Sequence, residues 1–219
     1  MLRVFVGRNG GGGNPLGVFL AGGTAPAKER QRIATDLGFS ETVFVDDTAR
    51  AEMRIFTPAA EIPFAGHPSV GTAWLLHREG HNPSVLRPPA GEVGVRREAE
   101  LTFIAARPEW APPIDFRRLD SPDAVEALAG PPDPDGFTYC WAWSDEGAGE
   151  VRARSFPAEY GIAEDEATGA AAIVLVARLG LPITILQGAG SELIARPLGD
   201  GSCEVGGRVE LDEVRDYLR

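Results

Sequence analysis

Three stretches of the chain carry ionisable side chains in surroundings where they could move protons: Glu41 in "FSETVFV", His67 in "FAGHPSVGTA" and Asp165 in "EDEATGAAA". A carboxyl or imidazole at the margin of an apolar segment has its proton affinity tuned by burial, which is how general acids and bases work near neutral pH. His67 and Asp165 each stand ahead of a run of small apolar residues that reads as a buried helix. A helix N-terminus offers unpaired N–H groups and a partial positive charge. Two such ends converging on one cleft would bind the carboxylate of a small acid without lysine or arginine. On residue type alone, Glu41 also fits a surface carboxylate, His67 a turn histidine, and Asp165 an N-cap worth roughly 1 kcal/mol.

Bulk composition narrows the chemistry. Twenty-one basic residues against 32 acidic ones give a net charge of −11, which opposes nucleic-acid binding. Lys28, the single lysine, sits in the polar stretch "APAKERQ", so neither a Schiff base nor a phosphate-loop lysine has a candidate. "GGGGN" lacks the G-K-[ST] ending of a phosphate loop and reads as a turn. Cys140 and Cys203 are too few and too far apart for a disulfide framework or zinc site, and His67, His77 and His81 lack a carboxylate pattern, so no metal is expected. The start "MLRVFV" is too short for a secretory core, and no segment approaches the eighteen or so apolar residues of a span. A cytoplasmic protein with no membrane partner is expected.

The elements that must position these residues are strands and three helices. Strand-like runs cover Leu2 to Val6, Leu16 to Leu20, Thr42 to Val45, Met53 to Phe56, Leu101 to Ala105, Thr138 to Trp143, Val151 to Phe156 and Ile183 to Leu186. In the Thr138 to Trp143 run, alternation gives Trp141 and Trp143 one face, read as core. Pro26 to Leu37 reads as an amphipathic helix; Ser69 to His77 and Thr168 to Leu179 read as helices buried all round. Two buried helices among many strands imply two sheets, each wrapped round its own helix. An ungapped comparison at an offset of 98 pairs Arg54 with Arg152, Glu61 with Glu159, Gly71 with Gly169, Ala73 with Ala171, and His67 with Asp165. Coincidence between two strand-turn-helix units would give the same pairs; with the matching burial, duplication is the favoured reading. The halves are then residues 1–92 and 93–219, divided near Pro88 to Arg97, with Pro108 to Pro134 a surface stretch of the second half.

"GNPLGVF", "FSETVFV", "RIFTPAAEIPFAGHPSVGTA", "EDEATGAAA" and "QG" occur in that order, and with them the chain resembles the phenazine-biosynthesis isomerase-like (PhzF-like) proteins, which share the diaminopimelate-epimerase fold. The resemblance implies an α+β fold of two pseudo-symmetric domains, each a β-barrel-like sheet around a central helix, with the active site between them, and a homodimer. It implies a cofactor-independent isomerase in which Glu41 moves a proton between carbons of a small acid, while His67 and Asp165 line the site. It further places Asn14, Gly66, Ser69, Thr168, Gly169, Ala170 and Gln187 at the substrate. A catalytically silent binding protein on the same scaffold is the alternative. Two-thiol racemases of this fold carry a cysteine at each helix start, where this chain has Gly66–His67 and Thr168–Gly169. Glu166 and Ala170 replace the family's usual proline and serine. Three consecutive carboxylates, Glu164 to Glu166, are therefore expected to crowd the anion-binding corner, weaken binding of an anionic substrate, and disfavour turnover of dihydro-hydroxyanthranilate.

Overall fold

The structure is a computed structural model describing residues 1–217. Its first part comprises strands β1 (Leu2–Val6), β2 (Asn14–Phe19), β3 (Thr42–Asp47), β4 (Glu52–Phe56) and β5 (Glu61–Ile62), with helices α1 (Ala27–Leu37) and α2 (Gly66–Arg78). Strands β6 (Val85–Leu86), β7 (Val93–Glu98), β8 (Leu101–Ala106) and β9 (Asp115–Arg118) follow, then the short helix α3 (Pro122–Glu126). The chain continues through β10 (Phe137–Asp145), β11 (Glu150–Pro157), α4 (Gly169–Leu179), β12 (Ile183–Gln187), β13 (Ser191–Pro197) and β14 (Cys203–Leu211).

All strands join one hydrogen-bonded path, β5-β4-β3-β2-β1-β14-β13-β12-β11-β10-β9, with β8, β7 and β6 branching from β14. β14 is the seam. Its end at 208–211 pairs with β1, while 203–207 pairs with β8 and 203–206 with β13. The helix α2 packs on β1, β2, β3, β8 and β14, and α4 on β13 and β14. Their composition explains this placement: in α2 every residue from Gly66 to Leu76 except Trp74 is buried, as are seven residues of α4. Only small or apolar side chains can fill a helix face that meets sheet on several sides. By contrast α1 buries one stripe, Arg30, Ile33 and Ala34, and ends at Gly38 in the left-handed conformation with φ 67°. That turn delivers the chain through Ser40 and Glu41 into β3.

The two buried helices touch end to end. A Cβ on Gly66 would lie 2.7 Å from the Cα of Gly169, and one on Gly169 would lie 2.9 Å from the Cα of Gly66. The contact corrects the ungapped alignment of the halves. The strands keep the offset, β4 starting at 52 and β11 at 150, but the helices start at 66 and 169: the second unit is five residues longer from strand start to helix start, three of them in the strand and two in the turn. His67 is thus the second residue of α2, whereas Asp165 lies four residues before α4, tied by its N–H to the Ser155 carbonyl at 2.9 Å. Asp165 is no N-cap either; Thr168 occupies that position.

The Pro108 to Pro134 stretch differs from expectation as well. It contributes β9, paired in parallel with β10, and α3, whose Val125 is buried; Trp110 packs on the core. Prolines fall at the first positions of its turns, where a missing N–H costs nothing. The expected boundary stretch, Pro88 to Arg97, includes most of β7, which pairs with β6 and β8. Trp141 is buried and Trp143 partly so, their rings in an edge contact at 5.4 Å on one face of β10.

Gly66→Ala should lower stability by about 1–3 kcal/mol, because the new methyl meets backbone that cannot rotate away. Urea denaturation measures this, with Gly199→Ala, whose Cβ meets nothing within 4 Å, as the unaffected control.

Candidate active site

Where α2 and α4 abut, the side chains singled out in the sequence come together. Asn14, the first residue of β2, is the hub. Its Nδ2 donates to Asp165 Oδ1 at 2.8 Å and to the Ala167 carbonyl at 2.9 Å, and stands 3.5 Å from His67 Nδ1. Ser40 Oγ donates to Asn14 Oδ1 at 3.3 Å. His67 Nδ1 lies 3.2 Å from Glu41 Oε2. On the other side, Thr168 Oγ1 donates to Asp165 Oδ2 at 2.6 Å. Gln187 Nε2 in turn donates to Thr168 Oγ1 at 3.0 Å and to the Asp165 carbonyl at 2.9 Å. Tyr139 fixes the Gln187 amide by donating its hydroxyl to Oε1 at 3.1 Å.

Burial sets the charges. Glu41 is pushed up to about 8, first by desolvation and then by the Asp165 carboxylate, with the Ser40 hydroxyl opposing. Asp165 is raised to about 6 by desolvation, with the Thr168 and Asn14 hydrogen bonds holding it down and the Glu166 charge adding a smaller push. His67, 3% exposed, is lowered to about 3 by desolvation against the weaker pull of the Pro15 carbonyl. Near neutral pH the Glu41–His67 contact therefore joins a carboxylic acid to a neutral imidazole. Both hydrogens of the Asn14 amide go to Asp165 and the Ala167 carbonyl, so its 3.5 Å approach to Nδ1 is a contact and not a third hydrogen bond. Neither Nε2 nor Glu41 Oε2 has a hydrogen-bond partner of its own, although both are buried.

A cavity of about 200 Å³ opens beside these groups. Its polar end is Glu41, Asp165 and Thr168, and its walls include Phe64, Trp110, Phe137, Tyr160, Ile62, Ile162 and Ala170. No lysine or arginine lines it. The helix starts at Gly66 and Gly169 are adjacent, their first-turn N–H groups being the cationic ends of two dipoles. The sequence-derived residues thus divide. Glu41, Asp165, Thr168 and Ala170 line the cavity; Asn14 and Gln187 hold Asp165; His67 contacts Glu41 without lining the cavity. Ser69 is buried, its hydroxyl spent on the Ala65 carbonyl at 2.7 Å. Sequence reasoning missed Ser40 and the aromatic walls. For Trp110 and Tyr160 the available signal was an aromatic ring in a segment otherwise built like surface.

The expected crowding of Glu164, Asp165 and Glu166 does not occur. Glu164 makes two contacts with Arg154, at 2.8 and 2.6 Å. Glu166 accepts from the Ala189 N–H at 2.9 and 3.0 Å and from Ser191 Oγ at 2.7 Å. Each carboxylate has its own donors, and the main cause of the Asp165 shift is burial, with repulsion by Glu166 a smaller one. Among the described residues no three His, Cys, Asp or Glu side chains are grouped to hold a metal, and no helix is long and apolar enough to cross a membrane. Cys140 and Cys203 are buried on β10 and β14, away from both helix starts, and burial raises both thiols.

Fold and site define an α+β protein with a cluster of buried ionisable groups beside two abutting helices, and known proteins share the fold. A predicted epimerase from Pseudomonas aeruginosa superimposes with a TM-score of 0.77 over 100% of this chain and 98% of its own, at 24% identity, which shows the common fold. Residues 4–114 match the family model described as phenazine biosynthesis-like protein. Proteins named trans-2,3-dihydro-3-hydroxyanthranilate isomerase are 34% identical in Pseudomonas fluorescens, over 80% of each chain, and 33% identical in P. aeruginosa, over 94% of each. The chain belongs to the phenazine biosynthesis-like (PhzF) family and is an isomerase of that type.

Glu41 keeps its proton in the fold up to about pH 8, whereas in the unfolded chain it ionises near 4.5. Folding therefore takes up a proton between those values, and this group's contribution to stability falls as pH rises through them. Glu41→Gln removes the loss. Its melting temperature relative to the parent should climb from pH 5 to pH 8 and level off above, as thermal unfolding across that range will read.

Proposed function

We propose that this isomerase moves a proton between two carbons of a small cyclic or amino acid, using no metal and no cofactor, with Glu41 carrying the proton. The observation behind the proposal is the protonated Glu41 at the mouth of an apolar cavity, its Oε2 buried without a hydrogen bond of its own. A base whose conjugate acid titrates near 8 is strong, yet about a tenth of it is ionised at pH 7, close to the balance favoured for general acid–base catalysis. One carboxyl can take a proton from the first carbon and return it to the second when a conjugated substrate spreads the charge between them. Asp165 and the neutral His67 flank Glu41, the Asp165 charge holding the proton on Glu41, and Asn14 ties them together.

The substrate carboxylate fits the adjoining N-termini of α2 and α4, where the N–H groups of Gly66, His67, Gly169 and Ala170 are suited to bind an anion that no side-chain cation attends. The apolar and aromatic walls favour a ring. Dihydro-hydroxyanthranilate is a ring carboxylate and its isomerases are relatives of this chain; with Glu164 and Glu166 separately paired, what stands against it is the hydroxyl missing at Ala170. Division into halves 1–92 and 93–219, each a barrel-like sheet around α2 or α4, belongs to the same proposal, as does a homodimer.

Incubation with candidate acids in deuterium oxide tests it. The parent should incorporate solvent deuterium into its substrate with kcat/KM rising with pH and levelling above about 8, and Glu41→Gln should lose at least about a hundredfold, the typical contribution of a general base. Exchange by the variant at the parental rate would remove Glu41 from the mechanism. Binding of acids without exchange in the parent would instead make the chain a metabolite-binding protein.

A further inference from the structure

We propose that Glu166 and Ser191 are positioning residues, forming a clasp that holds Asn14 against Asp165 and thereby sets the charge state of the site; this rests on the site described above. The clasp is a continuous set of bonds. Glu166 takes the Ala189 N–H through both oxygens, at 2.9 and 3.0 Å, and the Ser191 hydroxyl at 2.7 Å. With its hydrogen given to Glu166, Ser191 Oγ accepts from the Gly13 N–H at 2.8 Å. Gly13 is the residue before Asn14, so the peptide that orients the Asn14 side chain is anchored to the strand start of β13. Backbone interlock reinforces the bonds. A Cβ on Gly12 would lie 2.3 Å from the Ser191 nitrogen and one on Gly7 2.3 Å from the Gly190 carbonyl oxygen, so the loop at 7–13 presses directly on the turn at 188–191.

Asn14 reaches Asp165 across 151 positions of sequence, and this loop sets its approach together with its pairing to Val4 of β1. Its amide donates to the Asp165 carboxylate and so favours the ionised form. Slackening the loop weakens that donation, and Asp165 then keeps its proton to higher pH. The other ionisable groups around Asp165 are Glu41, His67 of α2, Tyr139 of β10, the Arg154–Glu164 pair on β11 and Glu166 itself. Ser191→Ala removes none of them, and takes from Glu166 one of its donors while leaving it the Ala189 N–H. Glu166→Gln does remove a charge, but it keeps an acceptor for Ser191 and Ala189, and losing that charge eases ionisation of Asp165. The two variants therefore pull the Asp165 titration in opposite directions if the clasp acts through Asn14.

The experiment is thermal unfolding of the parent, Ser191→Ala and Glu166→Gln from pH 5 to pH 8. Asp165 is raised in the fold, so its contribution to stability fades as pH rises through about 6. In Ser191→Ala the fading continues to higher pH. Its melting deficit should be flat near pH 5 and widen by about 2–4 °C by pH 8, the equivalent of about one pH unit in the Asp165 titration. Glu166→Gln should show no such widening. Ser191→Cys, whose thiol bridges poorly, gives the same trend in smaller measure and serves if the alanine variant does not fold. A deficit independent of pH in the serine variants, or widening in Glu166→Gln equal to that in Ser191→Ala, overturns the proposal. No catalysis is read, so failure here is separate from failure of deuterium exchange in the parent.

Discussion

The structure turns on the contact between the backbones of Gly66 and Gly169. Two helices that start at the same point bring their unpaired N–H groups and dipoles together, which ordinarily repel. Such an arrangement is stable in proportion as something negative sits nearby, and the Asp165 carboxylate stands there. A side chain at either glycine would part the helices. The small residues of α2 and α4 follow from the same constraint, since each helix must also sink into its surrounding strands. A protein of net charge −11 with one lysine can in this way attract an acid using only main-chain dipoles.

Desolvation, more than pairing, governs the ionisable groups. A histidine 3.2 Å from a glutamate is usually an ion pair, but here burial pushes His67 down and Glu41 up, past the point at which a proton would pass to the imidazole. The result is a neutral contact that can later take up charge when substrate changes the surroundings. Asp165 escapes full neutralisation because Asn14 and Thr168 donate to it. Two carboxyls of different proton affinity thus sit side by side, and environment alone distinguishes them.

Much of this was legible in residue order and some was not. Runs of β-branched and aromatic residues located eight strands to within two residues at each end, because a strand with a buried face must alternate or be wholly apolar. The almost wholly apolar run at 168–179 likewise had to be a buried helix. Strands β5, β6, β7, β9, β13 and β14 went unread. β5, β6 and β9 are short, β7 carries "RRE" on its exposed end, and β14 has glycines at 206 and 207 where Phe103 and Phe5 press against the backbone. Those glycines look like turn residues locally; their reason is a neighbour far along the chain. The five-residue excess between strand start and helix start in the second unit was hidden for a similar reason, since matching the strand starts gave no sign that the helices had slipped.

Glu164, Asp165 and Glu166 show why sequence adjacency misleads about charge. In a near-extended segment successive side chains leave on opposite sides, so three neighbours meet three environments. Arg154 takes the first, the buried core beneath Asn14 the second, and the turn before β13 the third. The middle one loses enough water for its proton affinity to rise. The acidic run is therefore an instance of division of labour: Glu164 fixes the segment to β11, Glu166 fixes it to the turn at 189–191, and the two anchors leave Asp165 no orientation except inward. A carboxylate forced to face a dry cavity is costly to fold, and the bonds on either side supply the constraint that keeps it there.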